Sequence, residues 1–316
     1  VTGIEATVAM VWRNFDDFDA FGEAVRSAHL RMACDSAERR SWRLAACGIG
    51  EMFLQIAEEG GGNLCHGANT HGGIQVFVPL SRATEHVCNC EPLDAGSLLA
   101  IPSGADFSIH IRGRAHAWFA VALPASMIGD GLAAWANPPA ESRVLRPGSA
   151  AVGRLGDLVR RIAASPLPIL APGPAHEAAA AELRDAVRDC LGHDEPPSPA
   201  APGRPRIDRG EIIRRALAAI EAESIDRPAV TKLSVAAGVT DRTLARAFRD
   251  AFGVSPLQYV LLRQLHAVRR ELRAAPGDAT VSGILVRHGI WDHGRFAARY
   301  RRHFGEAPSA TLPRQS

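Results

Sequence analysis

Two arginine-rich stretches carry the chemistry of this sequence. In DRTLARAFRDAF, residues 241–252, Leu244, Phe248 and Phe252 recur every four residues, so a helix here buries them. Arg242, Ala245, Arg246 and Arg249 then fall on other faces. In HGRFAARYRRHF, residues 293–304, the same spacing buries Phe296, Tyr300 and Phe304 and leaves His293, Gly294, Arg295, Arg299, Arg301 and Arg302 outside. Guanidinium groups in this arrangement can pair with phosphates or form bidentate hydrogen bonds to guanine O6 and N7 in a major groove. Arg242 and Arg246 stand one turn apart and suit two guanines, with Ala245 beside them able to touch only a thymine methyl. In the second stretch Arg295 is the only long donor near the start, while Arg299, Arg301 and Arg302 cluster further along, toward flanking phosphates. The first helix is expected to read bases and the second to grip the backbone.

Each stretch needs an element to aim it, and each has one. Leu233 and Ala237 mark a short helix that Gly238 ends, and Thr240 can cap the arginine helix that follows. Val281, Ile284 and Leu285 mark a second short helix, with Gly289 at the turn and Asp292 as the cap. Both copies close on Phe-Gly, at Phe252-Gly253 and Phe304-Gly305, followed shortly by a proline. Between them a helix opening at Pro256 is expected to run about 18 residues, roughly 27 Å at 1.5 Å per residue. That is near the roughly 34 Å between successive major-groove faces.

These residues support a resemblance. GVTDRTLARAFRDAFGVSP, the linking helix with Arg263 and Leu272, and GRFAARYRRHFGEAPSATL resemble the two halves of the AraC/XylS-type regulator domain. The resemblance covers about the last 105 residues. Ile290 stands where that family usually has phenylalanine, and Ala298 where an arginine is common, so the base contacts are expected to differ in detail while the fold does not. The resemblance implies a transcriptional regulator that binds double-stranded promoter DNA and RNA polymerase. It also implies a small-molecule effector held by an amino-terminal domain, and a homodimer.

The charge distribution agrees. The 316 residues carry a net charge of only +2, but from Arg206 onward 19 basic residues face 11 acidic ones, against 17 and 23 before it. A basic half beside an acidic half fits a chain of which only one part meets phosphate. Six cysteines without a paired spacing framework point to free thiols in a reducing compartment. No apolar run approaches the roughly 20 residues of a membrane helix, so a cytoplasmic protein without membrane contact is expected.

Along the chain, NFDDFDAFGEAVRSAHLRMACD predicts an amphipathic helix, with Phe18, Phe21 and Val25 on its apolar face and Asn14 or Asp16 as cap. SWRLAAC, EMFLQIAEE, GGIQVFVPL, SLLAIPS, ADFSIHI and HAWFAVALP then read as strands at about ten-residue spacing, an antiparallel barrel or sandwich. PLDAGSLLAIPSGADFSIHI resembles the glycine–strand–proline–glycine–strand signature of cupin-like barrels in AraC-type regulators. AAVGRLGDLVRRIAA and HEAAAAELRDAVRDCL predict two helices that either pack on the barrel or form a dimer surface. GHDEPPSPAAPGRPRID, with five prolines, predicts an extended linker. The expected class is α+β: a cupin-like sensor and dimerisation domain with a helical extension over 1–191, a linker over 192–208, and an all-α domain with two helix-turn-helix units over 209–316.

Enzymatic readings find no support in the residues. His66, His71, His86, Cys88 and Cys90 crowd one region, but a metal-dependent cupin needs two histidines one residue apart, a following glutamate and a distant third histidine. Cys88-Asn89-Cys90 on a strand would put both thiols on one face, as readily for burial as for a soft metal. Glu58, Glu59 and the GGGN after them read as a solvated turn. No serine, histidine and acid arrangement stands out, and no cofactor is expected. Trp42, Phe53, Phe77, Phe107, Trp118 and Phe119 read as core, one or two of them lining a cavity. The rivals are a regulator whose barrel only dimerises and a cupin-type oxygenase with a helical appendage.

Overall fold

The computed structural model describes residues 10–34, 41–80, 86–111, 115–128, 135, 141–164, 172–192, 209–222, 230–276 and 278–313. All of the expected linker except Gly192 lies outside the described residues. The amino-terminal part runs β1 (Arg13–Phe15), α1 (Phe18–Ala24), β2 (Ala28–Cys34), β3 (Trp42–Ile49), β4 (Met52–Glu59), β5 (Asn63–Asn69) and β6 (Gly73–Pro79). It continues with β7 (His86–Cys88), β8 (Glu91–Leu93), β9 (Leu98–Ile101), β10 (Asp106–Ile111), β11 (His116–Pro124) and β12 (Arg143–Leu145), then the helices α2 (Ser149–Ala164) and α3 (Pro174–Gly192). The carboxyl-terminal part is helical: α4 (Arg209–Ala222), α5 (Val230–Ala236), α6 (Asp241–Phe252), α7 (Pro256–Ala274), α8 (Val281–Arg287), α9 (His293–Phe304) and α10 (Pro308–Thr311). The mixed α+β class is as the sequence implies.

All pairings are antiparallel. One sheet has the order β1-β3-β4-β11-β6-β9-β12 and the other β2-β5-β10-β7-β8. The alternation of strand side chains divides the apolar residues into layers. Phe77, Trp118 and Leu99 of the larger sheet meet Cys65, Phe107 and Ile109 of the smaller between the two sheets. The opposite face of the larger sheet, with Leu54, Val76, Phe119 and Val121, is covered by Leu155 and Val159 of α2 and Leu183 and Val187 of α3. These two helices therefore pack on the sheet, one of the two roles their sequence allows. The outer face of the smaller sheet gives Ala33 and Leu64 to a cluster built from α4, α6 and α7.

All six expected strands form, and the remaining differences have local causes. The single helix expected from Asn14 is a seven-residue helix followed by a strand. Asp17, not Asn14 or Asp16, caps it, accepting from the Ala20 amide at 2.9 Å. Ser27 takes a positive φ of 66° and breaks the run. Beyond it Leu30 and Met32 alternate with His29 and Arg31, a period of two that pairs with β5. The solvated turn expected after Glu58 is half wrong: Glu59 and Asn63 are each 2% exposed, the second opening β5. Cys88 and Cys90 do not share a strand face, because β7 ends at Cys88 while Asn89 and Cys90 turn with φ of 50° and 68°.

Phe119, at the centre of β11 and fully buried, touches the cluster that joins sheet to helices. Phe119→Ala is expected to cost about 3–5 kcal/mol, read as a lowered urea midpoint at unchanged slope.

Candidate nucleic-acid interface

The first unit is α5, a turn at Gly238 with φ of 68°, and α6. Thr240 caps α6 by accepting from the Thr243 amide at 3.2 Å, and Asp241 bonds the Ser234 hydroxyl, which fixes the angle between the two helices. Leu244, Phe248 and Phe252 are fully buried, with Tyr259 of α7 packed on both phenylalanines at centroid distances of 5.5 and 4.6 Å. Gly253, left-handed with φ of 68°, ends the helix. Of the residues expected to meet nucleic acid, Arg242, Arg246 and Arg249 are exposed and Ala245 is half-buried beside them. Arg246 makes a loose ion pair, its Nε 4.0 Å from Asp250 with 74% of the side chain exposed.

The second unit repeats the construction. Thr280 caps α8, Gly289 turns with φ of 63°, and Asp292 caps α9 by accepting from the Arg295 amide at 2.9 Å. Phe296 and Tyr300 are buried and Phe304 half-buried, with the Tyr300 hydroxyl 2.8 Å from Thr311 of α10. Arg295, Arg301 and Arg302 are exposed, as is Gly294, whereas His293 and Arg299 are half-buried. Arg287 and His288 bond Glu271 at 2.8 and 2.6 Å, fastening α8 to α7. Trp291, 75% exposed immediately before α9, is a surface aromatic that the sequence reading passed over.

The sequence reading also missed how this helical part is held. Asp17 and Asp19, both buried, receive the polar face of α7. Arg269 lies 2.6 Å from Asp17 and 3.7 Å from Asp19, Arg270 lies 3.2 Å from Asp19, and Arg273 pairs with Asp17. His266 accepts from the Cys34 amide through Nε2 at 3.1 Å, which puts its ring proton on Nδ1, facing Asp19 at 3.0 Å. His303 of α9 approaches the same ring at 3.3 Å. A second junction gathers Arg31, His66 at 3.7 Å and Arg263 at 3.9 Å around Glu221 of α4. At a third, Gly253 lies against His110 of β10 so closely that a Cβ would come within 2.4 Å of the ring. The available signal was the spacing His266, Arg269, Arg270, Arg273, one polar stripe at helical period.

Electrostatics follow from this burial. Burial alone would raise the Asp19 carboxyl, but His266, Arg270 and Arg269 hold it below the usual carboxylate range. Burial, then His266 and Arg269, push His303 down to about 3. Burial, then Arg263, Arg31 and His29, push His66 down to about 4. No group of three or more His, Cys, Asp and Glu side chains able to hold a metal occurs among the described residues, and no helix there is long and apolar enough to cross a membrane.

Residues 233–314 match the family described as Helix-turn-helix domain. The chain is 32% identical over 117 residues to the "Probable thc operon regulatory protein" of Rhodococcus erythropolis, a match covering 37% of this chain and 33% of that protein. It is 33% identical over 85 residues to the "XylDLEGF operon transcriptional activator 1" of Pseudomonas putida, covering 27% of this chain and 26% of the relative. Matches to these curated relatives thus span a third or less of their length. Among solved structures, a "probable AraC family transcriptional regulator" from Rhodopseudomonas palustris is 30% identical, with 32% of this chain and 94% of that one covered at a TM-score of 0.30. The AraC-like transcriptional activator CuxR is 12% identical, with 88% and 100% covered at a TM-score of 0.44.

Histidines held neutral by burial contribute stability that is complete above their unfolded value near 6.5 and declines as pH falls toward the folded values near 3 and 4. Asp19 acts in the same direction, but only below its ordinary value of 3.8. Urea unfolding at pH 7.5 and pH 5 is expected to show a loss of up to about 2 kcal/mol per histidine. His66→Gln and His303→Gln should each flatten the dependence; an unchanged slope in both would show that other groups set it.

Proposed function

Because the chain belongs to the AraC family of DNA-binding transcriptional regulators, we propose that α6 and α9 enter successive major grooves of a promoter while the amino-terminal sheets sense a small-molecule effector. Several features support this reading. α7, 19 residues from Pro256 to Ala274, spans about 28 Å at 1.5 Å per residue, close to one helical turn of DNA. Arg242 and Arg246 read bases, with Ala245 beside them and Arg249 behind. Arg295 reads at the start of α9, near His293 and Gly294, and Arg299, Arg301 and Arg302 hold phosphates. Domains over 1–191 and 209–316, a homodimer and contact with RNA polymerase complete the proposal.

The observation that carries the sensing half is the position of the smaller sheet. Leu30, Met32, Asn63, Cys65, Phe107 and Ile109 point into a cavity between the sheets. Their neighbours in the same strands, Arg31, Ala33, Leu64, His66 and His110, meet the helical part. One strand layer therefore separates an effector in the cavity from α4, α6 and α7, and a shift of β2 on one side is felt by His266 and Glu221 on the other.

Arg246→Ala is expected to relax sequence preference in one half of the binding site by about 1–3 kcal/mol, the worth of one bidentate pair. Arg302→Ala should weaken all sequences alike and lower the slope of log affinity against log salt by about one. Equal loss of base preference in both variants, in a binding-site selection, would contradict this division. Regulation is tested at the junction: Asp19→Asn should raise effector-independent DNA affinity several-fold by freeing α7. A variant that folds yet leaves both DNA affinity and effector response unchanged would refute control through this contact. The rival in which the barrel only dimerises expects no heat of binding from any metabolite in a calorimetric panel.

A further inference from the structure

The cavity between the sheets is small, about 50 Å³. Ligand pockets for drug-sized molecules run to roughly 300–1,000 Å³, and even a dry cavity that takes up benzene is about 150 Å³, so a single ring enters this space only as the wall gives way. Its walls are mainly apolar, with the Phe77 and Trp118 rings 5.5 Å apart on one side and Phe107 among the residues opposite. The wall is least buried at β2, an edge strand, where Ala28, Leu30 and Met32 are only partly buried. Unbranched Met32 can swing out to widen the space.

The polar groups in this wall do not balance. Glu59 is engaged: one carboxyl oxygen accepts from Trp118 Nε1 at 2.6 Å and lies 3.5 Å from His116 Nε2, and the other accepts from Asn63 Nδ2 at 2.5 Å. Gln55 is engaged too, bonding the Arg26 amide and carbonyl at 2.7 and 2.9 Å. Asn63 Oδ1 is left buried without a hydrogen-bond partner. A buried acceptor without a donor costs about 1–3 kcal/mol, which a ligand's N–H or O–H recovers. Glu59 is the one acidic residue among those lining the cavity, and no arginine or lysine lines it. An anion entering here meets the Glu59 carboxyl group and no arginine or lysine, in apolar surroundings that penalise charge heavily.

We infer that this cavity binds a small, uncharged, largely apolar ring compound with one hydrogen-bond donor, the donor going to Asn63 Oδ1 and the ring lying against Phe77, Phe107 and Trp118. The inference rests on the sensing role proposed above and gives that site its ligand class, the class of phenols and neutral aromatic amines. Carboxylates, phosphates and sugars are excluded by charge or by size. Entry displaces Leu30 and Met32, and Arg31 on the reverse of the same strand carries the displacement to Glu221.

Calorimetry on the full chain with phenol, benzene and benzoate separates the contributions of ring, donor and charge. Phenol is expected to bind at least tenfold more tightly than either of the others. Ala120→Leu, which fills the cavity from β11 and leaves Asn63, Glu59 and Trp118 in place, should abolish phenol binding while the chain still binds DNA. Asn63→Leu should lower phenol affinity about tenfold and leave benzene unchanged. Benzoate binding as well as phenol, phenol binding undiminished by Ala120→Leu, or no probe binding at all because the cavity holds only water, would each overturn the ligand class. DNA affinity measured with and without phenol keeps the two readings apart. Phenol bound in the cavity without any change in DNA affinity supports the class and defeats the sensing role, whereas a calorimetric panel hit of another chemistry that does change DNA affinity defeats only the class.

Discussion

Three strands of the smaller sheet have no free face, and much of the molecule depends on that. Antiparallel sheets commonly keep one side in water. Here β2, β5 and β10 have a cavity on one side and packed helices on the other, so most residues in them answer to one partner or the other, His29 and Asp106 being exposed. A slip of one residue in register would exchange the two sets, pointing Arg31 and His66 into the cavity and Leu30 and Cys65 at α4 and α7. The pairing of β2 with β5 over seven residues, Ala28 with Asn69 through Cys34 with Asn63, fixes the arrangement against that slip.

The docked helices are held by charge as well as by the apolar contact at Ala33 and Leu64. Asp17 and Asp19 sit in the acidic half of the chain, and their partners Arg269, Arg270 and Arg273 sit in the basic half. Part of the basic excess that suggests phosphate is therefore consumed inside the protein. The arginines that remain outward in α6 and α9 are fewer than the count implies, and they lie on the helices whose apolar faces are already committed. Buried ion pairs contribute modestly as intact sets but are costly to break one partner at a time, since the survivor is left charged in an apolar place. Such a junction favours two states, docked or released, over gradual loosening.

Much of this was legible in the sequence, and the exceptions share a cause. Local chemistry announced the helical part: Thr240 and Asp292 as caps, Gly253 and Gly305 as stops, aromatics every four residues between them. Strands with strong apolar runs, such as HAWFAVALP, announced themselves too. NLCHGAN did not, because Asn63, His66, Gly67 and Asn69 are there for a hydrogen bond, a docking contact or close backbone approach, and so lack the β-branched signature. β2 was hidden by the helix before it, whose phenylalanines suggest that the helical period continues through Ser27. Asp17 and Asp19 gave no signal of their own, since nothing local reveals that an arginine stripe some 250 residues later will cover them. Pairings between distant segments leave no periodic trace in either one.

Gly253 bears on how such a chain can change over generations. It ends α6 with a backbone angle that disfavours side chains, and it lies where a Cβ would strike His110. The first condition belongs to the helix-turn-helix unit alone; the second belongs to the strand of the smaller sheet beneath it. A helical part taken from another protein could keep its own stop and its own groove-reading arginines and still fail to seat on this sheet. Recombination that treats the two halves as interchangeable cassettes would lose this seat, so the seam between them must be inherited as a matched set.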